Sequence, residues 1–316
     1  MVESQQLEDK EQTMKQNGVV WIDGIQSEWS QAQVPIMSDS VNRSVNVFDS
    51  LIAVEQPGTG IGVIELQSHV ERLFSTCRAM NISPKRHLQQ AMDDCMNAAQ
   101  KEYERTGAQE IYVRPMVVGY DITNQDKNGA SLTVAAFSLK KGSDKYLHLI
   151  TAGLRRPRNA SMPPAWKATA NYHLTRMVRL QAEASGADDA LLLNESGRIA
   201  ETAGAAIIVD RGGVITTPSR TEDCLPSITI NIVEGICSRL GIPFSREPLH
   251  LTDVYGAKGA ATAGTLGGIT SVHQVDHCHI PDSEQIQRIK AEYEHAIRGK
   301  GLEGVLDITV LAKTWK

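Results

Sequence analysis

The sequence lacks long apolar runs, paired cysteine motifs and internal repeats. No apolar run approaches the roughly 20 residues that span a bilayer, which argues against a membrane protein. Residues 1–17 are polar and lack the apolar stretch of a secretion signal, so we expect a disordered tail there. The five cysteines are odd in number and show no CxxC spacing, which favours reduced thiols in a cytoplasmic protein.

An excess of positive charge is also absent. The 316 residues include 32 Lys and Arg against 37 Asp and Glu, a net charge of −5. This balance argues against a nucleic-acid partner and against an anionic membrane surface. What is present, 41% hydrophobic and 22% charged residues, is ordinary for a soluble globular enzyme.

The length of the chain predicts two domains. Residues 122–130 are polar and turn-forming, and we interpret them as an interdomain linker. This interpretation gives a small N-terminal domain over residues 18–121 and a larger domain over residues 131–316. Strand and helix patterns mix without regular alternation, so the predicted fold class is α+β rather than a doubly wound sheet.

Local patterns predict several elements that bear on function. Helices are expected over residues 65–80 and 172–184, and Asp23-Gly24 is a strong hairpin-turn signal. Ser227 and Ser283 stand where further helices are expected to begin.

Lys167 and Glu201 are the main candidates for chemistry. Lys167 lies among small residues, where a buried lysine is costly unless it is neutral or covalently engaged. Lysines of this kind form Schiff bases, because their pKa shifts readily. Glu201 precedes an apolar run and could face a cationic ring nitrogen. A lysine imine with an acidic partner is what pyridoxal phosphate (PLP) requires. The alternative is a surface lysine and a solvated glutamate.

Two segments are candidates for binding a phosphate. Ser227-Ile228-Thr229 stands at a predicted helix start, where unpaired N–H groups and the helix dipole favour an anion. Gly264-Thr265 offers a second turn of backbone donors and a hydroxyl. Plain N-capping by Ser227 and a tight turn are the alternatives. Arg72 could reach a phosphate from its helix or extend along the helix surface to solvent.

In these segments the chain resembles the class IV, or fold-type IV, PLP-dependent aminotransferases, best known from the branched-chain amino-acid aminotransferases. The resemblance runs from about Val19 to near the C-terminus. It rests on the order and spacing of these segments: Val47-Phe48-Asp49, residues 69–73, Tyr112-Val113-Arg114-Pro115, residues 167–172, Glu201, residues 225–229 and Gly264-Thr265.

The resemblance implies roles for these residues. Lys167 is the expected Schiff-base lysine, Glu201 the partner of the pyridine nitrogen, and Tyr172 the neighbour of the phenolic oxygen. The expected phosphate ligands come from the two segments above and one helix: Arg72, Ser227, Ile228, Thr229, Gly264 and Thr265. The family fold has a small N-terminal α/β domain and a larger domain with a β-barrel-like core, with the cofactor between them. Members are typically homodimers.

The resemblance also implies a substrate site. Tyr112 and Arg114 alternate along a strand and share a face, and the matching family residues hold substrate carboxylates. This match favours glutamate or 2-oxoglutarate as one substrate. Phe48 is an expected pocket wall, and Thr265 and Leu266 complete the predicted substrate set with Arg43. The alternatives are a solvated arginine, a half-buried tyrosine on the strand and a phenylalanine of the core.

The chain departs from the family pattern in segments expected near the substrate. Asn42-Arg43-Ser44 replaces an aromatic-plus-glycine signal, and Asp49-Ser50 replaces the common Glu-Gly. Leu51-Ile52 lacks an arginine of the branched-chain pattern, and Leu266-Gly267-Gly268 replaces Ala-Ala-Glu. Arg43 could favour a substrate with an acidic side chain or close the site by a salt bridge. These departures favour a specialised transaminase.

For two other clusters, a role in binding or catalysis is not the favoured interpretation. His273, His277, Cys278 and His279 are the one metal-like group, but the matching family segment is an exposed turn, so no metal is expected. Arg155, Arg156 and Arg158 are interpreted as a solvated basic loop, with a substrate-carboxylate clamp as the alternative.

The sequence therefore predicts a cytoplasmic, dimeric, PLP-dependent transaminase. It acts on an amino acid, expected to be the L form and branched-chain-like or a specialised relative, with 2-oxoglutarate or glutamate. Within the same fold, a D-amino-acid or (R)-amine transaminase and an aminodeoxychorismate-lyase-like enzyme remain open. The rival of another class is a PLP-binding or scaffold protein with degenerate catalysis.

Overall fold

The computed structural model describes residues 18–120, 130–139 and 146–311. The chain forms two compact units. The first unit contains the chain up to Lys141 together with the segment from Asp307 onward, and the second unit spans Gly142–Leu306. The predicted N-terminal tail lies outside the described residues.

An antiparallel sheet forms the framework of the first unit. Its eight described strands are β1 Val19–Ile22, β2 Ile25–Ser27, β3 Asn46–Phe48, β4 Leu51–Gln56, β5 Gly60–Ile64, β6 Glu110–Gly119, β7 Ala130–Ser138 and, last in the chain, β17 Ile308–Val310. The strand order is β17-β5-β4-β6-β7-β1-β2, and β3 pairs with β6. The predicted Asp23-Gly24 hairpin is confirmed, since both residues have positive φ, 50° and 87°, as a two-residue turn requires.

Helices complete the first unit: α1 Asp39–Asn42, α2 Leu66–Ala79 and α3 Leu88–Thr106. The helix predicted over residues 65–80 is therefore confirmed. Its apolar residues at helical spacing, among them Leu66, Val70 and Leu73, are buried in one core with the inner face of the sheet. That core holds α2 and the sheet in fixed relation, which positions the residues at the strand ends.

The boundary between the units differs from the predicted one. β7 pairs with β6 along nine residues, from Ile111 opposite Ser138 to Gly119 opposite Ala130, so it belongs to the first unit. Strand β17 also joins this unit by pairing with β5. A long ladder of hydrogen bonds outweighs the polar composition on which the linker interpretation rested. Of the predicted linker, residues 122–129 lie outside the described residues.

A mixed sheet forms the framework of the second unit. Its nine described strands are β8 Leu147–Thr151, β9 Asp189–Leu193, β10 Ile199–Thr202, β11 Ala206–Asp210, β12 Ile215–Thr217, β13 Phe244–Arg246, β14 Gly259–Gly264, β15 Gly268–Val275 and β16 Cys278–His279. The order is β10-β9-β8-β15-β14-β11-β12-β13, and β16 pairs with β15. The pairs β8–β9, β8–β15 and β12–β13 are parallel. Both units mix helices and sheet, so the α+β class is confirmed.

The described residues of the second unit form four α-helices: α4 Tyr172–Ala184, α5 Ile228–Leu240, α6 Leu251–Tyr255 and α7 Glu284–Ala296. The prediction over residues 172–184 is confirmed. Ser227 and Ser283 cap α5 and α7, because their Oγ atoms accept hydrogen bonds from Ile230 N at 3.3 Å and Ile286 N at 3.2 Å.

The described part of the chain also lacks a membrane-spanning helix and a metal-binding cluster. No helix there combines the length and the apolar character needed to cross a bilayer. Nor do its His, Cys, Asp and Glu side chains form a group of three or more that could hold a metal ion. All five cysteines are free.

Candidate active site

Lys167 and Tyr172 form a direct pair in the second unit. Lys167 is buried, 9% exposed, and its Nζ donates to Tyr172 Oη at 2.9 Å. Asn171, also buried, shapes the loop before them, because its Nδ2 donates to the carbonyl oxygens of Pro163 at 3.1 Å and Trp166 at 2.9 Å. The chain then enters α4 at Tyr172. The lysine is therefore held by the helix start that follows it, with a hydroxyl against its amine.

Glu201 lies on β10 and is also buried, 8% exposed. The pairing of β10 with β9 shifts register between Ile199 and Glu201, an irregularity of the kind that re-aims a side chain. Glu201 Oε1 lies 2.9 Å from Arg156 Nε, and Oε2 accepts from Leu225 N at 3.2 Å. Two donors from different segments thus fix the carboxylate.

Arg156 is the residue that the sequence interpretation missed. A solvated loop is the right description for Arg155 and Arg158, which are exposed, but it is wrong for Arg156, which is 3% exposed. Its guanidinium pairs with Glu201, and it lies 3.4 Å from Asp223 O and 3.5 Å from Asn171 O. Three arginines within four residues look alike in sequence, and no local signal marks the one that meets a buried carboxylate.

Arg156 contacts two of the candidate segments. Through Glu201 it contacts β10, and through the Asn171 carbonyl it contacts the turn that leads into Tyr172. Leu225, whose N–H donates to Glu201, lies two residues before the N-cap of α5. Glu201 is therefore linked by direct contacts to Arg156 and to the segment before α5, while Lys167 lies on the same loop as Asn171, whose carbonyl oxygen Arg156 contacts.

The N-terminus of α5 retains the properties expected of an anion site. The first N–H groups of a helix have no intrahelical acceptor, and the dipole of this 13-residue helix favours negative charge there. Ile228 and Thr229 occupy its first turn and are buried. The Ser227 hydroxyl is used for capping, as the alternative interpretation had it. Its role as a phosphate ligand stays a prediction, as do those of Ile228 and Thr229.

Gly264 and Thr265 lie where β14 ends, and α5 packs beside that strand. A Cβ on Gly264 would approach Ala205 Cβ to 3.0 Å, so close packing between strands accounts for the glycine. Leu266 is 54% exposed in the turn that follows. The hydrogen bonds of the described residues do not connect Thr265 with Lys167, so the predicted roles of these three residues stay predictions.

Cys224 lies beside Glu201 and is not placed to act as a nucleophile. Burial, with the charge of Glu201 adding to it, raises the pKa of the Cys224 thiol to about 12. A thiol with such a pKa is protonated near neutral pH and therefore unreactive.

The predicted substrate residues of the first unit form a second cluster. Tyr112 and Arg114 lie on one face of β6, and Arg114 Nη1 donates to Tyr112 Oη at 3.3 Å. Arg114 Cζ stands 4.2 Å from the centroid of the Phe48 ring. Ser50 Oγ lies 2.8 Å from Tyr112 Oη and was not among the predicted site residues. The fold thus brings three predicted residues together and adds a serine to them.

Arg72 and Arg43 each pair with an aspartate of the first unit. Arg72 Nε and Nη2 donate to the two carboxylate oxygens of Asp49, both at 2.8 Å, and His69 Nδ1 lies 2.8 Å from Asp49 Oδ1. Burial opposes ionisation of Asp49, but Arg72 and His69 outweigh it and hold the pKa of Asp49 well below its usual range. Asp49 is fully buried, and its carboxylate is engaged by these two side chains.

The side chain of Arg43 is 65% exposed and pairs with Asp39 one helical turn earlier. The salt bridge of Arg43 thus lies within its own helical turn. The phosphate role of Arg72 and the substrate role of Arg43 stay predictions.

Comparisons with known proteins show which family the chain resembles. Residues 48–275 match the family model described as amino-transferase class IV. The branched-chain-amino-acid aminotransferase of Pseudomonas aeruginosa is 26% identical over 288 residues, covering 86% of this chain and 91% of that protein. The enzyme of the same name from Escherichia coli K12 is 25% identical over 277 residues, covering 84% and 87%.

Solved structures share the fold. The branched-chain aminotransferase of Thermoproteus uzoniensis, solved with norvaline, has a TM-score of 0.84 and 26% identity, covering 92% of this chain and 99% of that chain. The T.th. branched-chain amino acid aminotransferase, complexed with N-(5'-phosphopyridoxyl)-L-glutamate, also has a TM-score of 0.84, with 24% identity over 92% of this chain and 98% of that chain.

Proposed function

The chain belongs to the class IV aminotransferases, PLP-dependent enzymes, and from this premise we propose that it transfers the amino group of an L-amino acid to 2-oxoglutarate. The amino acid is branched-chain-like or a specialised relative, as the names of the relatives suggest. The observation that carries the proposal is the contact between the buried amine of Lys167 and the Tyr172 hydroxyl, and the buried ion pair of Glu201 with Arg156 supports it.

The residues present fit PLP. A buried amine is available for covalent attachment, and a hydroxyl lies 2.9 Å from it for the phenolic oxygen. A buried carboxylate with an arginine partner suits a protonated ring nitrogen, and the start of a long helix suits a phosphate. Lys167, Tyr172, Glu201 and the first turn of α5 would hold the group.

Each residue has a chemical task that follows from its contacts. Bound PLP supplies an electron sink for the electrons of the substrate Cα–H bond. With PLP bound, Lys167 Nζ would carry the proton to and from the substrate α-carbon, and Tyr172 Oη would orient that amine. Glu201 would favour the protonated form of the ring nitrogen. Arg156 compensates the buried charge of Glu201 and fixes its direction.

Arg114 supports a dicarboxylic co-substrate. Seven arginines of the described residues are buried or half-buried, and six of them pair with a carboxylate there: Arg72, Arg86, Arg156, Arg198, Arg246 and Arg298. Arg114 pairs with no carboxylate among those residues; its contacts are the Tyr112 hydroxyl and the Phe48 ring. A guanidinium held in this way favours a carboxylate supplied by a ligand.

A homodimer in the cytoplasm completes the proposal. An apolar groove of about 300 Å³ in the second unit is lined by Leu154, Met162 and Met177, each more than a third exposed. A second copy would cover these side chains, as the resemblance to dimeric enzymes implies. The five free cysteines agree with a reducing compartment.

The dimer is tested by light scattering during size-exclusion chromatography. Met177→Glu should convert a dimer to a monomer, whereas Ile25→Glu, at an exposed apolar position of the other unit, should not. A wild-type protein that elutes as a monomer at all concentrations contradicts this part of the proposal.

The visible absorbance of the purified protein tests the catalytic proposal. After incubation with PLP, we expect the band of lysine-bound cofactor. Adding L-glutamate should shift that band and release 2-oxoglutarate. Lys167→Ala should abolish both effects, whereas the control Lys258→Ala, at an exposed lysine, should retain them. A response to D-alanine alone would indicate a D-amino-acid enzyme, and the absence of any band would refute the proposal.

A further inference from the structure

Ser50 lies at the end of a hydrogen-bonded chain in the first unit. Its Oγ is 2.8 Å from Tyr112 Oη, which also accepts from Arg114 Nη1 at 3.3 Å. Tyr112 is buried, while Ser50 and Arg114 are half-buried. Two polar groups therefore converge on one phenolic oxygen, and the Arg114 guanidinium also lies over the Phe48 ring.

This cluster contains more donors than acceptors. An arginine only donates, so Tyr112 Oη is the acceptor of its bond with Arg114. The two hydroxyl groups carry two protons, and the bond between Ser50 and Tyr112 uses one of them. The second hydroxyl proton and the other N–H groups of Arg114 have no acceptor among the described residues. An oxygen-rich anion is the ligand that would complete such a set.

We infer that Ser50 is a specificity-determining residue that favours substrates with a side-chain carboxylate over aliphatic ones. The inference rests on the proposed transaminase function, because it names the substrate class of that site. Ser50 acts through Tyr112. Whichever of the two hydroxyls donates in their bond, the other hydroxyl proton stays available to a ligand, and the oxygen that carries it already accepts a hydrogen bond. Linked hydrogen bonds of this kind strengthen one another.

The position of Ser50 is itself fixed by buried charge. Its backbone N–H donates to Asp49 Oδ1 at 2.7 Å. Asp49 is held in turn by Arg72 and His69, all at hydrogen-bond distance. The Ser50 hydroxyl therefore contacts Tyr112 from a fixed backbone position. The donors of the cluster are thus in place before a ligand binds.

Binding of two acids of equal chain length tests the inference. Calorimetry with the PLP-loaded enzyme compares glutarate, which has two carboxylates, with pentanoate, which has one. Wild type should bind glutarate more tightly. Ser50→Ala should weaken glutarate binding about fivefold, the size of one hydrogen bond, and leave pentanoate binding within about twofold. Ser50→Thr should restore most of the glutarate affinity, since it restores the hydroxyl.

Matched variants separate selectivity from folding. Ser131→Ala removes a buried serine hydroxyl that donates to Asp23 at 2.8 Å, away from the cluster, and should leave both affinities unchanged. Ser50→Gly removes the same hydroxyl as Ser50→Ala and provides a second variant if alanine does not fold. In steady-state assays of Ser50→Ala, the KM for glutamate should rise with little change in kcat or in the KM for leucine.

Two outcomes overturn the inference: wild type that does not prefer glutarate, or a Ser50→Ala effect equal for the two acids. Either could occur in an active transaminase, in which case the proposed function stands. Wild type that shows no lysine-bound PLP band and no transamination refutes the proposed function instead.

Discussion

The two units each bury an arginine–carboxylate pair, and the two pairs differ in how many donors the carboxylate receives. Asp49 in the first unit accepts four hydrogen bonds, from Ser50 N, His69 Nδ1 and two nitrogens of Arg72. Glu201 in the second unit has two donors among the described residues, Arg156 Nε and Leu225 N. A carboxylate offers about four lone-pair positions.

This difference separates a structural carboxylate from one that can serve a ligand. Asp49 is saturated, fully buried and has a depressed pKa, so it has no capacity left for another donor. Glu201 has only two donors among the described residues, so positions remain on it for another donor, such as the ring nitrogen of the proposed cofactor. Burial and ion pairing are common to both carboxylates, so we expect the number of unused acceptor positions to distinguish the one that binds a ligand.

The largest effect should come from breaking the saturated pair. Asp49→Asn leaves Arg72 without its counter-charge in a buried setting and should lower the free energy of unfolding by about 3–5 kcal/mol. Urea denaturation of the PLP-free protein measures this change. The control Asp93→Asn, at an exposed position of α3, should change stability by less than about 0.5 kcal/mol. Equal stability of the two variants would contradict the structural role of Asp49.

Glu201→Gln should affect catalysis rather than cofactor attachment. The amide cannot hold a proton on the ring nitrogen as the carboxylate does, so the rate of the half-reaction should fall on the order of 10²–10³-fold. The absorbance band of lysine-bound PLP should persist, because Lys167 and Tyr172 are unchanged. Stopped-flow absorbance with L-glutamate measures the rate. An unchanged rate would assign Glu201 to structure, as with Asp49.

Arg156→Met should produce a smaller loss of activity. Glu201 keeps its bond from Leu225 N but loses its guanidinium partner, and we expect a loss of about 10–100-fold in kcat/KM, as when a residue that orients a functional group is removed. Arg156→Lys should recover part of the loss. The neighbouring Arg155→Met is the matched control, because that side chain is exposed. If both methionine variants behave alike, Arg156 does not position Glu201.

The smallest effect concerns the dependence of stability on pH. The pKa of Asp49 is lower in the folded protein than in the unfolded chain, where it is about 3.9. Its stabilising contribution is therefore present above that pH and is lost as pH falls below it toward the folded pKa. Wild type should lose stability below about pH 4 more steeply than Asp49→Asn. Unfolding curves at several acidic pH values compare the two slopes, and parallel slopes would argue against the depressed pKa.

Local sequence patterns predicted much of the fold. The helix expected over residues 172–184 begins and ends at those residues, and Ser227 and Ser283 cap helices as expected. These features depend on spacing and capping within a few residues, which a linear pattern contains. The alternation of Tyr112 and Arg114 likewise placed them on one strand face, where they are in contact.

Features that depend on distant segments were not predictable in this way. The polar segment around residues 122–130 suggested a domain boundary, but β7 pairs back onto β6 along its whole length. Arg156 looked like its exposed neighbours, and Ser50 was seen as a departure from a family pattern rather than as a partner of Tyr112. Each of these depends on a contact between residues more than 30 positions apart or on a long strand pairing, which local patterns do not encode.

The sequence by itself determined the residue types and the local elements: a lysine followed by a tyrosine at a helix start, a glutamate before a buried strand, and a capped helix for an anion. Tertiary structure decided which charges are paired. Only the fold places one arginine of three against Glu201 and leaves Arg114 without a carboxylate partner among the described residues. The physical reason is that helix and strand periodicity act over a few residues, whereas the burial and pairing of a charge depend on every segment packed around it.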